Sequence, residues 1–386
     1  MSEWKRYKLN EIASLSNGIN FDKSAYTSGV KLIGVADFKD RVYPDYGSLQ
    51  EVDSKVVRNG DYLEKGDIVF VRSNGNKELV GRCMMIDCDI PVTFSGFCIK
   101  LHLIDKNKFE PAYFNYLFRT REFKKVMTGT AVGANIQNLS QSRLGNCEIN
   151  VPNIETQREL AIIISRYDSL IENYQKQIKL LEESAQRLYK EWFVDLRFPG
   201  HGNTKIVDGI PEGWEKKKAG DLISKVRRTK QVSANNYLNS GYIPVIDQSR
   251  NYIAGYTNDI ESLVEVTIPY IVFGDHTRVL KYVPFSFAKG ADGTQLIMSN
   301  DLERMPQSLF YNSLIEIDLS NYSYARHFKY LKEESILVPS KDIAQRYDKV
   351  VSQYFQSIQK NREQIRYLTE ARDRLLPKLM SGEIEV

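Results

Sequence analysis

The chain states one pattern twice. A Val-Pro step at Val151 and Pro152 leads into an apolar series at Leu160, Ile164, Tyr167, Ile171, Tyr174, Ile178, Leu181, Ala185, Leu188 and Trp192. The steps alternate between four and three, which is the seam of a coiled coil. A second Val-Pro step at Val338 and Pro339 leads into Tyr347, Val351, Tyr354, Ile358, Asn361, Ile365, Leu368, Arg372, Leu375 and Leu379. Step and seam recur at one offset of 187 residues, whether taken as 338 − 151 or as 347 − 160. Two unrelated helices would not share that registration, so the chain reads as a duplication. Each helix follows a longer mixed segment opened by a Trp, at Trp4 and at Trp214.

A chain of 386 residues with 42% hydrophobic and 26% charged residues can fill two or three globular cores, so disorder is not the default. The formal charge of +4 permits a nucleic-acid or acidic partner without establishing one. Cys83, Cys88, Cys98 and Cys147 all precede the first helix, without paired spacing or a nearby His cluster. Free thiols in a reducing compartment are therefore expected, and no metal site. No apolar run approaches the roughly 20 residues of a membrane span, and Met1 to Asn10 is polar and basic. The expectation is a soluble, cytoplasmic protein.

From Ser2 to about Asn150 short β-type runs alternate with Gly, Asn and Asp turns: Lys31 to Val35, Asp67 to Val71, Cys83 to Asp87 and Phe97 to Leu103. A helix is predicted from Pro111 to Met127, because Pro suits a first helical turn and Tyr113, Tyr116, Leu117 and Phe118 supply an apolar face. The first long helix runs from about Glu155 to Val194 and stops at Phe198-Pro199-Gly200-His201-Gly202. After a Gly-bounded linker the second mixed segment shows runs at Tyr242 to Ile246, Ile268 to Phe273, Gln295 to Met298 and Glu334 to Val338. The fold class is α+β. The expected division is a domain over 1–150, a helix over 151–196, a linker over 197–212, a second domain over 213–337 and a second helix over 338–386.

A helix with one apolar stripe leaves that stripe wet, and pairing two such helices buries both, at roughly 1.5 to 3 kcal/mol per large side chain. The two helices should therefore pack as an antiparallel coiled coil, with a pseudo-two-fold relation between the two mixed domains. The first helix, about 36 residues at about 1.5 Å each, is on the order of 54 Å long. Asn361 and Arg372 fall on the second seam, where polar groups fix alignment at some cost in stability.

Catalytic spacings are missing: there is no phosphate-binding loop, no HExxH, no GxSxG and no Asn-Pro-Pro-aromatic step. Asp275 and His276 adjoin, but neighbours on a strand point to opposite faces and do not form an acid-base pair. Basic and amide-bearing loops recur instead. The first domain offers Arg72, Asn74, Asn76 and Lys77, then Asn135, Gln137, Asn138 and Arg143. The second offers Arg227, Arg228, Lys230, Gln248, Arg250, His276, Arg278, Arg326, His327 and Lys329. Arg matches a guanine edge, Asn and Gln match adenine, and Lys holds phosphate, so these are the candidate DNA-binding residues. Surface loops are rich in such residues in any case; it is their recurrence in both copies that singles them out.

The layout resembles the specificity subunit of type I restriction-modification systems over essentially the whole chain. The carrying segments are Gly66-Asp67-Ile68-Val69-Phe70-Val71-Arg72 with Leu79-Val80-Gly81-Arg82, Thr128-Gly129-Thr130, and Leu188-Tyr189-Lys190-Glu191-Trp192-Phe193-Val194-Asp195. The second copy adds Ile271-Val272-Phe273-Gly274-Asp275-His276-Thr277-Arg278, Gly290-Ala291-Asp292-Gly293 and Leu375-Leu376-Pro377-Lys378-Leu379-Met380-Ser381-Gly382. The resemblance implies two target-recognition domains, no catalysis and no cofactor of its own, double-stranded DNA as ligand, two methyltransferase subunits as partners, and motor-nuclease subunits in a full restriction complex. Two unlike domains on a stiff spacer imply a bipartite, asymmetric site. Trp192, Phe193, Leu379 and Met380, large apolar groups at the helix ends, are expected to be exposed and to dock a partner helix. Two other readings stay open: a coiled-coil scaffold that never touches DNA, and a subunit of a DNA-modifying enzyme.

Overall fold

The computed structural model describes residues 4–38, 41–74, 79–128, 138–227, 229–322 and 326–385. Two compact units divide the chain, Met1–Glu172 with Ile365–Val386 and Asn173–Gln364.

In the first unit the strand Ile68–Val71 is wholly buried between Cys98–Leu103 and Cys83–Met85, with Ala13–Asn17 beyond, all antiparallel. Successive side chains of a strand point to opposite faces. Ile68 and Phe70 accordingly join a core with Tyr113, Phe114 and Phe118 of the helix Pro111–Arg119, while Val69 and Val71 join Ile33 and Phe94 on the other side. Those last two belong to a second sheet, in which Tyr26–Ile33 pairs antiparallel with Gln50–Val52 and parallel with Val92–Phe94. Lys5–Lys8 closes the unit by pairing with Glu148–Val151, Lys5 opposite Val151, one residue before Pro152.

The second unit repeats that plan. Tyr270–Gly274 lies between Leu280–Val283 and Thr294–Ile297. Ile271 and Phe273 enter one core and Val272 another. Ile243–Ile246 pairs antiparallel with Gly255–Thr257 and parallel with Phe287–Lys289. Glu215–Lys218 closes against Ser335–Val338, Glu215 opposite Val338, one residue before Pro339. The duplication seen in the heptads therefore extends through the strand pairing of both units.

The first long helix is Ile154–Tyr189, extended by a wider turn Lys190–Val194, and the second is Lys341–Met380. Every predicted seam residue is buried or half-buried. In the second unit Gln177 faces Asn361 at 3.2 Å, Glu182 faces Arg362 at 3.1 Å, and the Ala185 carbonyl accepts from the Tyr347 hydroxyl at 3.2 Å. Position 177 of one helix meets 361 of the other, whereas 185 meets 347, so the helices run antiparallel there. In the first unit Arg372 donates to Asp168 at 2.6 Å and to Asp373 at 2.8 Å. Asn361 and Arg372 thus both pair with polar groups across the seam, which suits alignment.

Two expectations are corrected, and one unforeseen helix is added. Phe193, Leu379 and Met380 are buried, not exposed. Phe193 packs on Tyr189, Tyr347 and Trp214, Trp192 is half-buried against Tyr347, and Leu379 and Met380 sit in the core of the first unit with Leu160 and Ile164. The helix ends are covered by their own chain. The helix predicted over Pro111 to Met127 is two, Pro111–Arg119 and Arg121–Thr128, broken at Thr120. The Thr120 hydroxyl donates to the Leu117 carbonyl and accepts from the Phe123 amide, ending one helix and capping the next. Gln307–Ile315 is a helix that the sequence pattern does not announce, because it is buried all round. Its polar side chains are satisfied internally: Gln307 bonds Pro269 and Ser299, and Ser308 bonds Asp348.

Because Phe193 completes an aromatic cluster, Phe193→Ala should lower unfolding stability by about 3–5 kcal/mol. Urea titration of the two proteins checks this, and an unchanged midpoint would contradict the burial.

Candidate nucleic-acid interface

In the first unit three segments are laced together at the end of the buried strand Ile68–Val71. The Arg72 amide donates to the Phe97 carbonyl at 2.8 Å, the Leu139 amide donates to the Arg72 carbonyl at 2.8 Å, and Ser73 bridges Asn138. Strand ends cannot bond within their own sheet, so these backbone bonds fix the loop. Arg72 and Asn74 are half-buried and Asn138 is exposed. Arg143 stands one helical turn on, its amide capped by the Ser140 hydroxyl and its Nε donating to the Met127 carbonyl at 2.9 Å. Asn76, Lys77, Asn135 and Gln137 lie outside the described residues.

The second unit uses the same lacing with different side chains. The Asp275 amide donates to the Gly293 carbonyl at 2.7 Å and the His327 amide donates to the Asp275 carbonyl at 3.0 Å. Asp275 therefore takes the backbone role of Arg72, and Arg326 stands where Asn138 stands. His276, Arg278, Arg326 and Lys329 are exposed. Gln248 ties two loops together: its Nε2 donates to the Asp292 carbonyl at 2.9 Å and its Oε1 accepts from the His276 amide at 3.2 Å. Gly293 sits at a φ of +83°, and a Cβ there would lie 2.8 Å from the His276 ring. Only Gly fits such a conformation and approach.

Three candidates are differently employed from what their type suggests. His327 is buried, with Nδ1 against the Asp275 carbonyl at 2.8 Å and Nε2 against the Tyr322 carbonyl at 3.0 Å, so both ring nitrogens are occupied within the fold. The reading of His327 as a base contact is corrected accordingly. Lys230 is held by Glu261 and Asp259, both at 2.9 Å, and these carboxylates raise its pKa above the usual lysine value. Arg278 adopts a φ of +61°, unusual for a side chain with a Cβ, while Nη1 donates to the Leu319 carbonyl at 3.0 Å. Arg227 and Arg250 are exposed, and Arg228 lies outside the described residues. Asp275 and His276 do not form a dyad: Asp275 is buried and its Oδ1 accepts from the Phe328 amide, while His276 faces out.

Sequence reasoning missed Lys281. This buried ammonium donates to the Asp247 carbonyl at 2.8 Å and to the Asn251 carbonyl, drawing together the two ends of the loop that carries Gln248 and Arg250. Burial pushes Lys281 down to about 8, against the opposing Asp247 carboxylate. The folded value lies below the ordinary 10.5, so the folded chain gives up this proton first. On that group's account stability is lowest below pH 8 and rises as pH climbs through the window between the two values. Wild type should therefore gain stability relative to Lys281→Met between about pH 8 and pH 10. Urea unfolding across that range tests it, and a difference that stays flat would contradict the assignment.

Loops carrying Arg, His and amide side chains recur in equivalent backbone settings in both α+β units. Residues 1–183 match the family model described as "Type I restriction modification DNA specificity domain", about the span of one repeat. The type I restriction enzyme MjaIX specificity subunit of Methanocaldococcus jannaschii is 27% identical over 313 residues, 74% of this chain and 72% of that protein. The HindI specificity subunit of Haemophilus influenzae is 23% identical over an alignment spanning 100% of both. Among solved structures, the type I restriction-modification S subunit of M. genitalium shares the fold, with a TM-score of 0.61 and 17% identity over 98% of this chain and 96% of that one. By sequence and by fold the chain is similar to the type I restriction-modification specificity subunits.

Proposed function

We propose that this chain is the sequence-reading, non-catalytic subunit of a cytoplasmic type I restriction-modification complex. Its two units would read the two halves of a bipartite, asymmetric DNA site, and the length of the paired helices would set the unread spacer. The observation that carries this is the shared loop lacing with unlike contents: Arg72, Asn74 and Asn138 in one unit, His276, Arg278 and Arg326 in the other. One scaffold with two sets of base-matching side chains is what two different half-sites require. The partners are two methyltransferase subunits, joined by restriction and translocation subunits in a complete complex. With Phe193, Leu379 and Met380 buried, docking falls instead to apolar residues exposed along the first helix, Ile162, Leu170 and Leu180. No helix among the described residues is long and apolar enough to cross a membrane.

Phosphate contacts release counterions, so affinity of the complex for DNA should fall steeply with salt. Arg72→Ala and Arg278→Ala should each weaken specific binding by about 1–3 kcal/mol. Exchanging residues 214–337 for those of another specificity subunit should alter one half of the methylated motif, read by genome-wide mapping of methylated adenines. Changes in both halves would refute the division of labour, and salt-independent or absent DNA binding would favour a scaffold.

A further inference from the structure

The turn Ser95-Gly96-Phe97 joins the strands Val92–Phe94 and Cys98–Leu103 at the candidate interface of the first unit. Phe97 is 62% exposed. A single exposed apolar side chain is ordinary on a protein surface, but this one stands on an unusually well-tied turn. Its carbonyl accepts from Arg72 at 2.8 Å and Ser73 at 3.4 Å, the Cys98 amide donates to Ser95 at 2.9 Å, and the Gly96 amide donates to Ile19 at 2.7 Å. The turn presses so closely on the neighbouring loop that a Cβ on Gly96 would lie 2.1 Å from the Asn20 side-chain oxygen. The fold holds Phe97 rigidly beside Arg72, Ser73 and Asn138, yet leaves its ring largely in water.

We infer that Phe97 is a specificity-determining residue of the first unit and makes an apolar contact with the C5-methyl group of a thymine. This rests on the DNA-reading assignment above. Thymine is the base that offers a methyl group, and it does so in the major groove, where Arg and Asn also find their matching edges. A rigid aromatic ring loses little conformational freedom on contact. The second unit supports the assignment by contrast. Its corresponding turn, Gly290–Gly293, makes the equivalent backbone bonds, Gly290 to Ile246 where Ser95 bonds Ile33, and Gly293 accepting from Asp275 where Phe97 accepts from Arg72. It is one residue longer and exposes Asp292, which has no apolar surface to offer a methyl group. The methyl contact is therefore a property of one half-site and helps to make the two halves unlike.

The test uses the chain in complex with its methyltransferase subunits and duplexes carrying the mapped methylation site. The first unit's half is the one left unchanged by exchange of residues 214–337. Each thymine in that half is replaced in turn by deoxyuridine, which removes the methyl group and nothing else. Wild type should lose affinity at one such position by about three- to fivefold, the worth of one buried methyl group. Phe97→Ala should bind the thymine duplex correspondingly less well and show no further loss with deoxyuridine there, while Asp292→Ala should behave as wild type in that half. Undiminished deoxyuridine sensitivity in Phe97→Ala would overturn the inference, as would a first-unit half without thymine. So would an equal loss by Phe97→Ala on specific and random duplexes, which would mark a sequence-independent wedge. Wild type binding specific and random duplexes equally would sink the DNA-reading assignment itself, an outcome visible before any variant is made.

Discussion

The closing strand pair of each unit is the constraint on which the rest depends. Lys5–Lys8 on Glu148–Val151, and Glu215–Lys218 on Ser335–Val338, return each domain's end to its beginning one residue before a proline. Proline cannot continue the ladder and suits the approach to a helix, so the chain must leave the sheet there. The Trp that opens each copy sits beside this junction. Trp214 packs at a tilt on Phe198 and Phe193, and Trp4 packs on Gly382, so each opening Trp covers the end of a long helix. With one end of each domain committed to that junction, the loops beyond the buried central strands are free to diverge.

The two cores use the long helices reciprocally. Leu160 and Ile164 from the start of the first helix share a core with Leu379 and Met380 from the end of the second, whereas Ala185, Tyr189 and Phe193 share one with Tyr347 and Val351. Each helix thus contributes its beginning to one core and its end to the other. Between these anchored stretches the seam buries Ile171 and Ile358, half-buries its other residues, and is aligned by Asn361 on Gln177 and by Arg362, which pairs with Glu182 and lies over the Tyr252 ring at 3.7 Å. Such pairs hold register more than they add stability. Burial pushes the Glu182 carboxyl above its usual pKa, and the Arg362 guanidinium opposes that rise.

Much of this was legible in the sequence, for physical reasons that also mark where legibility stops. The heptads and central strands announce themselves because they bury one face or one run of β-branched and aromatic residues, and the strands at Asp67 to Val71 and Cys83 to Asp87 fall within a residue or two of the observed bounds. Gln307–Ile315 escaped because its polar side chains bond within the core and erase the amphipathic pattern. The burial of Phe193, Leu379 and Met380 escaped because an apolar helix end does not say whether its own chain or a partner covers it. His327 read as a base contact because burial is not a property of residue type. Lys281 and Phe97 carry no sequence signal at all. One matters through the two carbonyls it joins and the other through the turn that displays it.

The central claim is that the paired helices set the distance between two independently read half-sites. Deleting one heptad from each, residues 173–179 and 360–366, keeps the four-three spacing of both seams and shortens each helix by about 10 Å, or about three base pairs of duplex. Mapping methylated adenines with this variant in place of wild type should return the same two half-sites with a spacer shorter by about three base pairs. An unchanged spacer, or altered half-sites at the old spacing, would contradict the account.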